Sequence, residues 1–480
     1  MSQFVLGHNV QTHNNSLRNL VRGVGERVLY TNSDLDIPII PADNVFEGRL
    51  SKYREQLVSK IGYQSSVTYE KFVSYYKGPR KLIYQKAVDS LMFTSIRRRD
   101  AYLSTFVKAE KLNLDLKSDP VPRVIQPRNP RFNVEVGRFL RPLEEKLYKE
   151  IDGLFGAPTI MSPYNAFTQA KHLKAKWDSF CDPVCIGLDA SRFDQHVSKQ
   201  ALIFEHSVYN KIFKSEKLAK LLDMQIENVG FAKASDGWFK YLKTGSRMSG
   251  DMNTSMGNKL LMCLMSLSYL NTKPFRCSFI NNGDDCLIFT EKKNLDQLDD
   301  LDEYFVDFGF NIKREDPVTE FEHVEFCQTK PVKSNGVWRM VRNVKTCLTK
   351  DVTSISLGHD IRSYRVRLRD IGNCGLATAA DIPVLGAFYA MLFRFGLDGD
   401  YAGKWNNEYD YYRRSSIHAS CKHNQPDEYG RYSFWKSTGI TPDAQMVLEG
   451  YFNDSVWGAT NRQICINFNP LFFDGSKIKT

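Results

Sequence analysis

Long apolar runs are missing from this sequence. No stretch reaches the roughly 18 consecutive apolar residues that a helical membrane span needs, so no such span is expected. The first residues, MSQFVLGHNVQTHNN, lack the basic start, apolar middle and small-residue cleavage site of a secretory signal. Secretion is therefore not expected, and membrane attachment would come through a partner or a segment outside this sequence. No internal repeat and no low-complexity linker divides the chain. Metal-site spacing is missing too. Ten cysteines are scattered at 181, 185, 263, 277, 286, 327, 347, 374, 421 and 465. Only Cys181 and Cys185 (CDPVC) stand close together, and no second Cys/His pair lies near them at zinc-site spacing. Most of the others sit in apolar text such as KLLMCLM and DDCLIF, which suits free buried thiols in a reducing compartment.

What is present is a long, mixed and unevenly basic chain. Its 480 residues are 42% apolar and 25% charged. That is enough for two or three subdomains with real cores, and it argues against wholesale disorder. The 65 Lys and Arg exceed the 55 acids, for a net charge of +10. Residues 77–141 alone hold 15 basic residues and 6 acids, so most of the excess lies there. Tyr75, Tyr76, Tyr84, Phe93, Tyr102, Phe106, Phe132 and Phe139 are interleaved with them. Cations with interleaved aromatics suit the phosphates and bases of a nucleic acid; the plainer alternative is a solvated basic surface. After position 120 arginine dominates, in RVIQPRNPRFNVEVGRFLR, and its planar fork suits phosphate better than lysine does.

Periodicity places the motifs. The proline-punctuated segment 117–142 reads as loops and short strands, and 143–152 has helical spacing. Residues 184–188 (VCIGL) read as a buried strand, 200–228 as a helix, and 257–270 (GNKLLMCLMSLSYL) as a helix apolar nearly all round. In 276–290 two β-rich runs flank Asn281-Asn282-Gly283-Asp284, and Asn-Gly signals a hairpin turn.

Three short segments carry chemistry. In Gly187-Leu188-Asp189-Ala190-Ser191-Arg192-Phe193-Asp194, Asp189 ends the buried strand and Asp194 follows in the turn. At the hairpin tip, Gly283-Asp284-Asp285 puts two carboxylates between apolar strands. If the strand ends are neighbours, Asp189 and Asp284 can share divalent cations, which activate an attacking oxygen and stabilise a leaving phosphate. The alternative for the tip alone is a solvated Asp-rich turn. The third segment, Ser249-Gly250-Asp251-Met252-Asn253-Thr254-Ser255-Met256-Gly257-Asn258, leads several short polar groups into the apolar helix, more than capping alone requires.

Asp-x4-Asp, Ser-Gly-x3-Thr-x3-Asn and Gly-Asp-Asp in this order resemble the motifs of positive-strand viral RNA-dependent RNA polymerases. GLDASRFDQHVS, SGDMNTSMGNKLLM and NNGDDCLIF narrow the resemblance to the Tombusviridae and their relatives. So do HNNSLRNLVRGVGERVLY, YYKGPRKLIYQKA and SFWKSTGITPDAQMVLEGYF, and the likeness spans about residues 7–453. It implies an α+β closed right hand. Residues 1–180 and 205–245 would be fingers with an N-terminal fingertip extension, 181–204 and 246–332 the catalytic palm, and 333–480 the thumb.

The resemblance also implies roles. Asp189, Asp284 and Asp285 match the metal-binding aspartates, for Mg2+ with Mn2+ as a substitute. Asp194 matches the residue that senses the ribose 2′-hydroxyl, with Ser249, Thr254 and Asn258 as its network. Arg123, Lys108 and Lys111 match the basic fingertip motif that neutralises the NTP triphosphate. Lys313 in FGFNIKRE matches a lysine that protonates pyrophosphate, the alternative being a solvated lysine. Phe326-Cys327-Gln328 falls at the priming-strand hairpin. Lys77, Arg80, Lys81, Arg128 and Arg131 are expected on the RNA. The implied partners are RNA template and product, NTPs and a viral membrane-associated accessory replication protein. The implied location is the host cytoplasm, with membranes reached only indirectly. The family's upstream accessory region is not in this text, which would make the chain a truncation, a separately translated product or a relative with different expression. A reverse transcriptase and a non-catalytic RNA-binding viral protein are the rival readings. The first usually carries an aromatic sugar gate, and the second leaves the acidic segments unexplained.

Overall fold

The computed structural model describes residues 10–32, 34–114, 118–354, 361–399 and 424–457. It mixes helices with small sheets. The strands are β1 (Val10–Gln11), β2 (Leu103–Val107), β3 (Leu112–Asn113), β4 (Val124–Ile125), β5 (Pro183–Ala190), β6 (Glu227–Ala234), β7 (Gly237–Thr244), β8 (Ser278–Asn282), β9 (Asp285–Glu291), β10 (Ile312–Arg314), β11 (Thr329–Ser334) and β12 (Val337–Arg342). One four-stranded sheet runs β10-β5-β9-β8, antiparallel throughout. A second runs β4-β2-β6-β7, with β2 and β6 parallel.

The first sheet is covered on both faces, so β5 is apolar without alternation. Ile186, Leu188, Cys286 and Ile288 join the large core made with helices Val45–Ile61, Pro130–Phe155, Lys199–Phe213 and Thr254–Leu270. Cys185, Leu287 and Phe289 face a smaller core containing Leu173, Trp177, Phe321 and Phe326. A separate core gathers residues from Val332 to Phe452, including Leu368, Phe388 and Leu392. Helix Thr254–Leu270 is buried along nearly its whole length, as its composition implies.

Two element boundaries differ from the sequence reading. Segment 117–142 is not all loop: a 26-residue helix begins at Pro130 and carries Pro142 inside it. Asn129 caps that helix through the Arg131 N–H, and Pro130 takes a first-turn position where no N–H is needed. Segment 200–228 is not one helix. Lys214 adopts a left-handed conformation (φ 46°), Ser215 caps a new helix Glu216–Asp223, and β6 starts at Glu227.

Cys185, Cys263, Cys286 and Cys347 are free and buried, as expected of reduced thiols. Cys421 and Cys465 lie outside the described residues. Among the described residues no helix is long and apolar enough to cross a membrane.

Candidate active site

Sheet register assembles the acidic end. Asp189 in β5 pairs with Asp285 in β9 on one side and with Lys313 in β10 on the other. Residues directly opposite in antiparallel strands share a face at about 5 Å, so Lys313, Asp189 and Asp285 form a row. Asp284 lies in the two-residue turn between β8 and β9, and all four side chains are exposed. Gly283 holds the turn at φ +91°. Buried Asn281 fastens it: its Nδ2 donates to the Gly283 carbonyl at 2.7 Å, and its Oδ1 accepts from the Gly283 N–H at 3.1 Å.

Charge here is under-compensated. The surrounding protein, then Asp284, raise the Asp285 carboxyl above its ordinary range, and Asp189 adds to the shift. Glu315 is raised by burial and by Glu325, Asp189 and Asp285, with Lys313 opposing. Among the described residues no three His, Cys, Asp or Glu side chains form a ready-made metal cage. The row instead offers separated oxygen ligands that repel one another, a donor set suited to a hard cation completed by a substrate's phosphate oxygens.

Beside this row, Ser191 and Arg192 turn the chain so that Asp194 lies in the first turn of a short helix, Phe193–His196. Asn258 Nδ2 donates to Asp194 Oδ1 at 2.7 Å, so the sequence-predicted pair does meet. Burial raises the Asp194 carboxyl; the Asn258 hydrogen bond opposes this and Asp284 adds to it. Thr254 does not reach Asp194. Its hydroxyl donates to the carbonyls of Met248 and Asp251 and shapes the loop. Ser249 contributes its carbonyl, which accepts from the Gln126 N–H at 2.7 Å.

The basic residues divide. Lys77, Arg80 and Lys81 are exposed at the start of helix Gly78–Phe93, where RNA could reach them. Arg128 is not: it is buried, its Nε donates to Asp251 at 2.5 Å, and its other nitrogens serve Ala101 and Asn228. It clamps the 249–251 loop to the arginine-rich segment and has no face left for RNA. Arg131 is similarly spent on Ser90, Thr94 and Ser95. Arg123 and Lys108 share Glu110, at 3.4 and 3.3 Å, and Arg123's charge acts on Asp194. Lys111 Nζ donates to the Lys350 carbonyl at 2.7 Å, tying this segment to the C-terminal core. Of the interleaved aromatics, Tyr84, Phe132 and Phe139 are core residues, whereas Tyr75, Phe93 and Phe106 are exposed.

Arg192 and Gln195, near the site, were not singled out for a role in the sequence. They donate to the carbonyls of Glu26 and Tyr30, at 2.5 Å each, so the N-terminal segment braces the Asp194 loop. Cys327 and Gln328 form a tight turn with φ of 51° and 59°, closed by Phe326 and Thr329, and Asn282 Nδ2 reaches Cys327 Sγ at 3.2 Å. The hairpin expected there is thus in contact with the acidic turn.

A family model described as viral RNA dependent RNA polymerase matches residues 1–457. The RNA-directed RNA polymerase of Turnip crinkle virus is 44% identical over 92% of this chain and 58% of its own length. That of Pothos latent virus is 44% identical over 91% of this chain and 58% of its own. For Tomato bushy stunt virus the figures are 43%, 91% and 53%. The chain thus spans little more than half the length of these relatives. With the three motifs brought together at one sheet end, it belongs to the viral RNA-dependent RNA polymerase family, on the side of the Tombusviridae.

Proposed function

We propose that this chain is the catalytic part of an enzyme that synthesises RNA on an RNA template from NTPs. The observation that carries the reading is the row Lys313, Asp189 and Asp285 beside Asp284, with the Asp194–Asn258 pair next to it. Asp189 and Asp284, with Asp285 beside them, would hold Mg2+, or Mn2+ in its place; bound there, the ions acidify the attacking 3′-hydroxyl and offset charge on the departing pyrophosphate. The chain's own groups orient the reactants. Arg123 and Lys108, which share Glu110, neutralise the triphosphate. Asp194 accepts from the ribose 2′-hydroxyl. Lys313, one strand from Asp189, donates a proton to the leaving group. Positioning and electrostatics of this kind carry most of phosphoryl-transfer catalysis.

In this reading residues 1–180 and 205–245 are fingers, 181–204 and 246–332 the palm, and 333–480 the thumb. The sheet β10-β5-β9-β8 and helix Thr254–Leu270 support the palm assignment, and the separate core beyond Val332 supports the thumb. The polar Asp194–Asn258 pair favours a ribose over a deoxyribose, against the reverse-transcriptase reading. RNA template and product would be its macromolecular substrates. The accessory replication protein as partner, and replication complexes at host cytoplasmic membranes as the location, rest on the family resemblance alone.

The test is direct. The purified chain, given an RNA template, four NTPs and Mg2+ or Mn2+, should make complementary RNA, and Asp284→Ala should not. Equal incorporation by the two proteins would overturn the assignment.

A further inference from the structure

Behind Asp194 and Asn258 lies a buried ion pair that no step above uses. The side chains of Arg247 and Glu205 are both 0% exposed and are paired through Nη2 and Oε2. Arg247 Nε donates to Asn258 Oδ1 at 3.0 Å, and its backbone N–H donates to the Asp194 carbonyl at 2.8 Å. Glu205 Oε1 accepts from Asn253 Nδ2 at 2.7 Å and from the Tyr209 hydroxyl at 2.8 Å. A Cβ on Gly257 would collide with both Glu205 and Arg247, so the pair is pressed against the helix backbone one residue before Asn258.

Stability alone does not account for such a pair, because apolar groups of the same shape commonly serve as well or better. Its geometry has a specific consequence. A guanidinium only donates, so Asn258 must turn its carbonyl oxygen to Arg247 and its amide nitrogen to Asp194. Turning the amide over would set oxygen against carboxylate and N–H against guanidinium. The Asn258 donor thus occupies Asp194 Oδ1 and leaves Oδ2 to meet another donor. A ribose 2′-hydroxyl supplies that donor; a deoxyribose does not.

We propose that Arg247 and Glu205 are positioning residues for ribose selection: Glu205 holds Arg247, Arg247 holds the Asn258 amide, and the amide sets the Asp194 carboxylate for the 2′-hydroxyl. This rests on the reading of Asp194 as the group that meets the sugar. A site built to bond a hydroxyl rejects an analogue lacking it far more strongly than packing alone would.

The test compares kcat/KM for GTP and dGTP on one RNA template, with thermal melts. It uses the whole chain, Glu205→Gln, Arg247→Lys and the double variant Glu205→Leu/Arg247→Met, which removes both charges together. The GTP/dGTP ratio is expected to fall ~10-fold or more in each, through loss of activity with GTP while dGTP use changes little. A merely structural pair would lower both activities alike. A folded, active variant with the wild-type ratio would overturn the proposal. So would failure of all three variants to fold, which would make the pair a stability element only. Wild-type chain that makes RNA without preferring GTP would overturn the sugar reading of Asp194 and this proposal with it, whereas wild-type preference kept by the variants defeats this proposal alone.

Discussion

Two sets of carboxylates in this protein are built on opposite principles. Asp189, Asp284 and Asp285 stand exposed at a sheet end, with one lysine in register and with Asp284 and Asp189 helping to raise the Asp285 carboxyl. Asp251 and Glu205 are buried, and each is taken up by an arginine, Arg128 and Arg247. The first arrangement leaves negative charge for a ligand to neutralise. The second pairs each carboxylate with an arginine inside the protein: Arg128 clamps the 249–251 loop, and Arg247 holds Asn258 and the Asp194 backbone. Removing a group from the first set should therefore act on chemistry with little effect on folding, whereas removing one from the second strands its buried partner and acts on stability as well.

The largest effect is expected from Arg128→Ala, which strands Asp251 in the interior and should cost ~3–5 kcal/mol in denaturant unfolding. Unchanged stability with weakened RNA binding would instead return Arg128 to the RNA path. At the exposed set, Asp189→Ala or Asp284→Ala should reduce nucleotide incorporation by on the order of 10²–10³-fold. Asp285→Asn should lose less. Melting temperatures of all three should hold or rise, since like charges are being separated; a fall of many degrees would erase the contrast with Arg128.

His206, beside Glu205, tests the closed set by pH. Burial pushes its imidazole down to about 4, Glu205 opposing. The folded protein thus binds fewer protons than the unfolded chain between about pH 4 and the ordinary value near 6.5. Stability is therefore lost as pH falls through that window, by about 3 kcal/mol in all. Melts from pH 7 to 4.5 should show the loss, and His206→Leu should flatten it; an unchanged slope would assign the acid sensitivity elsewhere. The smallest effect is expected at Arg123, which is exposed and shares Glu110. Arg123→Ala should raise the apparent KM for NTPs, at a cost of ~1.5–3 kcal/mol in a charge-assisted contact. Altered template affinity with unchanged NTP dependence would move Arg123 from nucleotide to RNA.

The exposed set was legible in the sequence because short-range signals announce it: a strand ending in Asp189 and an Asn-Gly turn ending in Asp284. Asp194 and Asn258 were legible through their motif, although only the fold shows that Thr254 and Ser249 shape the loop instead of touching Asp194. The closed set was nearly invisible, since its partners are far apart in the chain. Arg128 among prolines reads as an exposed phosphate ligand until Asp251 is placed against it. Glu205 carried one usable hint: it lies on the apolar face of its helix, three residues after Leu202 and four before Tyr209, where a charge needs a partner. The helix from Pro130 was missed because a proline that opens a helix looks, residue by residue, like one that breaks it.

The order of strands has a consequence for how the polymer is made. β5 lies inside its sheet, yet both neighbours come later in the chain, β9 from Asp285 and β10 from Ile312. During N-to-C synthesis the apolar run of β5 therefore emerges with two unpaired edges and waits for its partners. Exposed apolar edges of this kind are templates for misassembly between nascent chains. Helices from Pro130 and Lys199 flank β5 in the sequence and share its core, so they can shelter one face before either edge is closed. The row of Asp285, Asp189 and Lys313 comes into being only when β10, the last strand of this sheet, docks.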